Sequence, residues 1–115
     1  MMGMAMKVKR KVDRLWKAQK GDWGSCAARV QVGDEFSCDC KTYAMTCAEL
    51  LVQQGADPEK VRIAECVTPD GPHMVCVADV WVIDNLSDVI WAWDCLEYEW
   101  IRSMKMSEPG TWRTA

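Results

Sequence analysis

The chain has 115 residues, of which half are apolar and 27% are charged. This length allows one domain over residues 1–115, and roughly two thirds of its unfolded surface can be buried, so neither disulfide bonds nor a metal ion is needed for folding. The composition argues against disorder, and no apolar run approaches the ~20 residues of a membrane span. We therefore expect a single folded domain without a transmembrane segment.

Seven cysteines and one histidine limit the chemistry that the chain can perform. The odd number of cysteines leaves at least one thiol unpaired. The first ten residues lack the apolar stretch of a secretory signal, so we expect reduced thiols and a cytoplasmic location. Any mechanism that needs an imidazole must use His73.

The net charge of −3 is unevenly distributed, because residues 1–20 carry seven basic side chains and one acidic side chain. A basic segment on an acidic body is compatible with binding to nucleic acid or to an acidic partner. Aromatic residues that would stack on bases are absent from this segment apart from Trp16. The favoured interpretation is therefore a solvated helix face docked on the acidic domain, and nucleic-acid binding is not expected.

Two helices are predicted in the first half of the chain. Apolar residues recur at helical spacing over residues 7–19, which predicts the first helix, and residues 21–38 are mostly irregular. The second helix is predicted over residues 39–54. It ends at Gly55, where a left-handed backbone conformation favours glycine.

Consecutive strands are predicted in the second half, at residues 61–67, 73–78, 80–84, 89–93 and 97–102. A turn over 68–72 and a tight hairpin near Ala78 and Asp79 join the first three strands. A helix over 97–102 is the alternative for the last strand, and residues 108–110 are expected to end the regular structure. Helices that precede a run of strands joined by short turns indicate an α+β fold with an antiparallel sheet.

Cys40 lies at the predicted start of the second helix, a position that favours thiol reactivity. The unpaired N–H groups and the positive end of the helix dipole stabilise a thiolate there, and the neighbouring Lys41 adds to this effect. The thiolate is the nucleophilic form of cysteine. A helix-start cysteine alone does not establish a catalytic role.

His73 and Asp84 lie on either side of the predicted hairpin. If the chain reverses at Ala78 and Asp79, His73 and Asp84 face each other on neighbouring strands. A carboxylate in that place would hold the imidazole in one tautomer. The alternative is a surface histidine beside an unrelated aspartate in a turn.

Three separated stretches resemble motifs of the bacterial transglutaminase-like cysteine peptidases. Residues 39–44 (DCKTYA) resemble the Asp-Cys-x-x-Tyr-Ala motif, 73–75 (HMV) the histidine motif and 81–85 (WVIDN) the aspartate motif. The tail over residues 93–112 is similar to short members that phages or prophages often encode. The resemblance extends from about residue 22 to residue 112.

This resemblance implies a papain-like or transglutaminase-like core with a Cys-His-Asp triad and no cofactor. Cys40 would be the nucleophile, His73 the general base and then the acid, and Asp84 the residue that orients the imidazolium. The backbone N–H of Cys40 would be one oxyanion donor. The implied substrate is a protein or peptide, whose acyl group is transferred to water or to an amine in the cytoplasm of a bacterial host.

The residues after Cys40 depart from the calcium-binding pattern of exported family members. Those members carry acidic residues at the two positions where this chain has Lys41 and Thr42, so only Asp39 of the acidic cluster remains. An ammonium group repels Ca²⁺, which needs several oxygen ligands. We therefore expect no calcium dependence through this site.

Two other functions stay open at the level of sequence. An inactive triad fold of phage or prophage origin would bind a host protein through exposed tryptophans. A position in the core is the favoured interpretation for the four candidates, Trp91, Trp93, Trp100 and Trp112. A zinc site lacks the usual ligand spacing, although its candidate ligands are Cys38, Cys40, Cys66, Cys76 and His73.

Overall fold

The computed structural model of the protein describes residues 1–15 and 40–114. In these ranges two helices precede a six-stranded antiparallel sheet, which confirms the predicted α+β class. The helices are α1, Met2–Leu15, and α2, Cys40–Gln53. The strands are β1, Val61–Thr68, β2, Gly71–Ala78, β3, Trp81–Ile83, β4, Trp91–Ala92, β5, Glu99–Lys105, and β6, Trp112–Thr114. Predictions for residues 16–39 lie outside the described residues. Neither α1 nor α2 has the length and apolarity to cross a bilayer.

Helix α1 begins at Met2 rather than at residue 7, because its apolar stripe continues upstream. Ala5, Val8 and Val12 are fully buried, and their spacing places them on one face of the helix. Methionine and alanine also favour helix formation in this segment. The buried face packs against α2 and β3, whereas basic side chains such as Lys7 and Arg10 are exposed.

Helix α2 covers the central strands β1 and β2. Its predicted apolar stripe is buried and consists of Tyr43, Ala44, Cys47, Leu50 and Leu51. At the end of the helix, Gly55 N donates to Val52 O (3.0 Å) and Ala56 N donates to Leu51 O (2.9 Å). This is the Schellman arrangement, in which the penultimate residue takes a positive φ, here +101° at Gly55.

Replacing Gly55 by alanine should lower the free energy of unfolding by about 1–2 kcal/mol, because a side chain is strained at this positive φ. The added Cβ would meet no atom within 4 Å, so the loss would come from the backbone. Urea unfolding measures the effect. Gly3→Ala is the control, since Gly3 lies in α1 with equally open space and alanine favours helix there. An unchanged midpoint for Gly55→Ala would contradict this account.

The sheet has the strand order β4-β3-β2-β1-β5-β6. Its helix-facing side chains join α1 and α2 in the main core and include Val61, Ile63, Cys76, Ala78, Ile83 and Met104. Successive side chains of a strand point to opposite faces of the sheet, so the residues that alternate with these core residues form a second, smaller cluster on the other face. That cluster consists of Ala64, Val75, Val77 and Val82, with Leu96, Tyr98 and Trp100 packed against it.

The hairpin between β2 and β3 turns one residue later than predicted. Ala78 pairs with Trp81, so the two residues between them form the turn, and Asp79 takes a φ of 58°, which aspartate tolerates. This register makes His73 and Asp84 diagonal neighbours rather than directly opposed residues. Diagonal neighbours still share a face and are within reach of long side chains.

The last three strands differ from the predicted bounds. Strand β4 has two residues because a 3₁₀ turn follows at Trp93, whose N–H donates to Val80 O (2.9 Å). Strand β5 reaches Lys105 because it pairs along β1, so the alternative helix over 97–102 is wrong. The expected end of regular structure at 108–110 is also wrong: Gly110 (φ +84°) lies in a turn, and β6 pairs with β5.

Candidate active site

Cys40 is the first residue of α2, and its side chain is half-buried. The first N–H groups of a helix have no partners inside the helix, and the positive end of the dipole lies at the same place. The Cys40 side chain lies close enough to the imidazole of His73 to be one of the groups that raise its pKa. The structure thus brings together the cysteine and the histidine that the sequence singled out.

His73 lies near the start of β2, and only 4% of its side chain is exposed. Its Nε2 lies 2.6 Å from Asp84 Oδ1. Because the contact with Asp84 takes up Nε2, Nδ1 is the ring nitrogen left for another partner. Asp84 and Cys40 are the two groups that raise the pKa of the imidazole.

Asp84 directly follows β3, and its side chain is 2% exposed. Besides the contact with His73, Asp84 Oδ2 accepts a hydrogen bond from Tyr98 Oη (2.5 Å) and Oδ1 accepts one from Leu86 N (2.9 Å). Burial raises the pKa of Asp84, but the three hydrogen bonds outweigh burial and hold this pKa below its usual range. Asp84 is therefore ionised at neutral pH.

Opposing effects act on the protonation of His73. Burial lowers the pKa of His73, but the hydrogen bonds to Asp84 and Cys40, together with their charges, outweigh it and raise this pKa to about 9. Cys66 also lies close, since its Sγ is 3.7 Å from His73 O. At neutral pH His73 is an imidazolium paired with the Asp84 carboxylate.

The free energy of unfolding should fall between pH 6.5 and pH 9, because the folded state retains a proton on His73 that the unfolded chain releases. The stabilisation is complete below pH 6.5 and is lost as pH rises through 9. One proton gives a slope of at most about 1.4 kcal/mol per pH unit. Urea unfolding over this range measures the slope, and His73→Gln should flatten it. Equal slopes in the two proteins would contradict the expectation.

Tyr98 is part of the site, although the sequence shows it only as one residue of an alternating strand. In addition to its bond with Asp84, its ring meets the His73 ring edge-on, with centroids 6.4 Å apart at 86°. Burial and the bond to Asp84 both raise the pKa of Tyr98, so its hydroxyl remains a donor. Tyr98 precedes β5, which pairs with β1, and this long-range pairing has no local sequence signal.

The other described thiols differ from Cys40, and none of the five described cysteines forms a disulfide. Cys47, Cys66 and Cys76 are buried, and burial raises their pKa values, that of Cys66 to about 12. Cys95 is exposed. Within residues 1–15 and 40–114, no group of three or more His, Cys, Asp and Glu side chains is arranged to hold a metal ion. The candidate zinc ligand Cys38 lies outside the described residues.

The segment after Asp84 carries an exposed apolar surface. The side chains that form it are Leu86, Val89, Trp91 and Trp93, which are 44–52% exposed. The prediction of a core position is therefore wrong for Trp91 and Trp93, because the short β4 lies at the edge of the sheet. Trp100 and Trp112 are half-buried.

Solved structures of LapG from Legionella pneumophila share this fold. The calcium-bound structure has a TM-score of 0.78 and 16% sequence identity, with 97% of this chain and 67% of that chain covered. A second LapG structure has a TM-score of 0.77 at the same identity and coverage. An EGTA-treated structure has a TM-score of 0.72, with 89% of this chain and 62% of that chain covered.

The chain therefore has a transglutaminase-like fold, as the sequence motifs predicted. The family follows from the sequence: the model described as Bacterial transglutaminase-like cysteine proteinase BTLCP matches residues 2–115. This chain belongs to that family, which confirms the resemblance found in the motifs. No curated protein sequence matches the chain.

Proposed function

We propose that this protein is a cysteine peptidase in which Cys40 is the nucleophile, His73 the acid and base, and Asp84 the residue that orients the imidazole. The observation that carries this proposal is the 2.6 Å contact between His73 Nε2 and Asp84 Oδ1, beside which Cys40 lies close enough to raise the pKa of the imidazole. The family consists of cysteine proteinases, so a protein or peptide is the substrate class. Phage or prophage origin and cytoplasmic location stay predictions from the resemblance.

In the proposed reaction the Cys40 thiolate attacks the carbonyl carbon of the scissile amide, and the N–H at the start of α2 donates to the developing oxyanion. The His73 imidazolium then gives its proton to the departing amine as the C–N bond breaks. A thioester remains on Cys40. Water, deprotonated by His73, attacks the thioester and the C–S bond breaks. The acid product leaves, and the Cys40 thiolate and the His73 imidazolium are regenerated. Asp84 stabilises the imidazolium in both halves.

Transfer of the acyl group to a primary amine uses the same residues, with the amine in place of water. The two reactions diverge only at the thioester. Mass spectrometry of products formed with and without an added primary amine separates hydrolysis from transamidation.

Alkylation with iodoacetamide at pH 6–7 tests the proposal without a known substrate. We expect Cys40 to react faster than Cys95, because Cys40 lies beside an imidazole. Cys95 is exposed to the reagent but has no imidazole partner in the described structure. Peptide mapping by mass spectrometry reports both rates in one sample. His73→Ala should remove the difference. A Cys40 that reacts no faster than Cys95, with no effect of His73→Ala, would refute the proposed activation.

We also propose that calcium does not bind beside Cys40 in the way that exported relatives bind it. Lys41 is exposed and Thr42 is buried, so the two positions after the cysteine supply an exposed cation and a buried neutral side chain. Neither provides the carboxylate oxygens that Ca²⁺ prefers.

The second candidate function is binding of a host protein by an inactive triad fold. The apolar surface of Leu86, Val89, Trp91 and Trp93 favours it, since exposed aromatic residues are enriched in protein interfaces. A partner retained by Cys40→Ala but lost on replacement of both Trp91 and Trp93 by serine would support binding over catalysis.

A further inference from the structure

The ammonium group of Lys9 lies inside the protein, next to the candidate site. All five basic residues of α1 fall in the described part of the chain, and among them only Lys9 is buried, with 5% of its side chain exposed. A buried ammonium is costly unless its charge and its donors are matched. The contacts of Lys9 therefore indicate why a lysine occupies this position.

Among residues 1–15 and 40–114, three acceptors surround the Lys9 ammonium, which has three N–H donors. They are Asp13 Oδ2 at 3.1 Å, Tyr43 Oη at 3.1 Å and the backbone oxygen of Asp84 at 2.9 Å. Tyr43 donates its own proton to Asp13 Oδ1 at 2.5 Å. Burial raises the pKa of Tyr43 far above its usual value, so the phenol keeps that proton and accepts from Lys9.

This cluster joins α1 and α2 to the residue that holds the imidazole. The carbonyl of Asp84 bonds to Lys9 from α1, while its carboxylate bonds to His73 on β2. Asp84 lies just beyond the last residue of β3, where the pairing between strands no longer fixes the backbone. At that point the Asp84 carbonyl accepts from Lys9 Nζ (2.9 Å) and from Ser87 N (3.3 Å), so Lys9 supplies the shorter of two backbone restraints.

We propose that Lys9 is a positioning residue of the site: its ammonium fixes the backbone of Asp84 and thereby holds the Asp84 carboxylate against His73 Nε2. The catalytic meaning of this role rests on the proposed function, but the placement can be tested without a substrate. Helix α1, which carries the basic segment, is then a structural part of the site.

The test is an NMR titration of the imidazole C–H signals, which are easy to assign because His73 is the only histidine. In the wild type these signals should titrate near pH 9. In Lys9→Met the midpoint should fall by about one pH unit or more toward the ordinary value of about 6.5, because His73 loses part of its bond to Asp84.

The direction of the shift separates positioning from a simple charge effect. Removal of a nearby positive charge would raise the pKa of His73, whereas loss of the Asp84 contact lowers it. Lys7→Met, which removes an exposed charge from the same helix, is the matched control and should titrate with the wild type. An unchanged or raised midpoint in a folded Lys9→Met protein would overturn the proposal.

Cooperative urea unfolding shows that each variant is folded. If Lys9→Met does not fold, Lys9→Gln is titrated instead. A neutral amide costs less to bury than an ammonium, and the glutamine side chain is too short to keep all three contacts of Lys9. A lower His73 midpoint in this variant supports the proposal, and an unchanged or raised midpoint overturns it. A lowered midpoint together with an unreactive Cys40 would support positioning but refute catalysis, and a reactive Cys40 with an unmoved midpoint would do the reverse.

Discussion

Replacing Cys40 by alanine should lower kcat/KM for a cleaved peptide by about 10⁴-fold or more, because the nucleophile is removed and Cys40 is the one described thiol that raises the pKa of His73. His73→Ala should cause a loss of similar size. The double variant should lose little more than either single variant, because the two residues act as one unit. A fluorogenic peptide library supplies the assay.

Cys95→Ala is the matched control for the loss of a thiol, because Cys95 is exposed and is not among the groups that act on His73 or Asp84. It should retain wild-type kcat/KM. Far-ultraviolet circular dichroism shows whether Cys40→Ala is folded. Retention of more than about a tenth of the activity in folded Cys40→Ala would exclude covalent catalysis by this residue.

Replacing Asp84 by asparagine should lower kcat/KM by about 10²–10⁴-fold. The carboxylate accepts bonds from His73, Tyr98 and Leu86, and an amide cannot accept on both of its terminal atoms. The neutral side chain also no longer favours the imidazolium. The alkaline limb of the pH–rate profile, expected near pH 9 in the wild type, should therefore move to lower pH.

Tyr98→Phe separates the charge of Asp84 from its orientation. This variant removes the bond to Asp84 Oδ2 but keeps the carboxylate and its contact with His73. We expect a loss of about tenfold, the equivalent of one hydrogen bond to a charged group. If Asp84→Asn matches the small loss of Tyr98→Phe and leaves the alkaline limb in place, Asp84 is not a member of the proposed triad.

The order of helices and strands could be predicted from local patterns. The apolar stripe of α2 and the glycine that ends this helix are visible over a few residues, and both agree with the structure. Strand β5 was harder, because its length depends on pairing with β1, which lies far away in sequence. Periodicity within a segment carries no information on that pairing.

The candidate site likewise contains residues that the sequence identifies and residues that only the folded chain brings to the site. Cys40, His73 and Asp84 belong to short motifs, and each could be named before the structure was known. Tyr98 and Lys9 could not, since a tyrosine on a strand and a lysine on an amphipathic helix are ordinary residues. Their importance arises from contacts that span 14 and 75 residues of the chain, respectively.

The family, the fold class and the three candidate site residues can be inferred from the amino-acid sequence, because these inferences depend on motifs and on short-range periodicity. How the three residues are held becomes visible in the folded chain: the hairpin register makes His73 and Asp84 diagonal neighbours, a phenol donates to Asp84, and a buried ammonium lies behind it. The physical reason is that burial and hydrogen bonding are set by packing between distant segments.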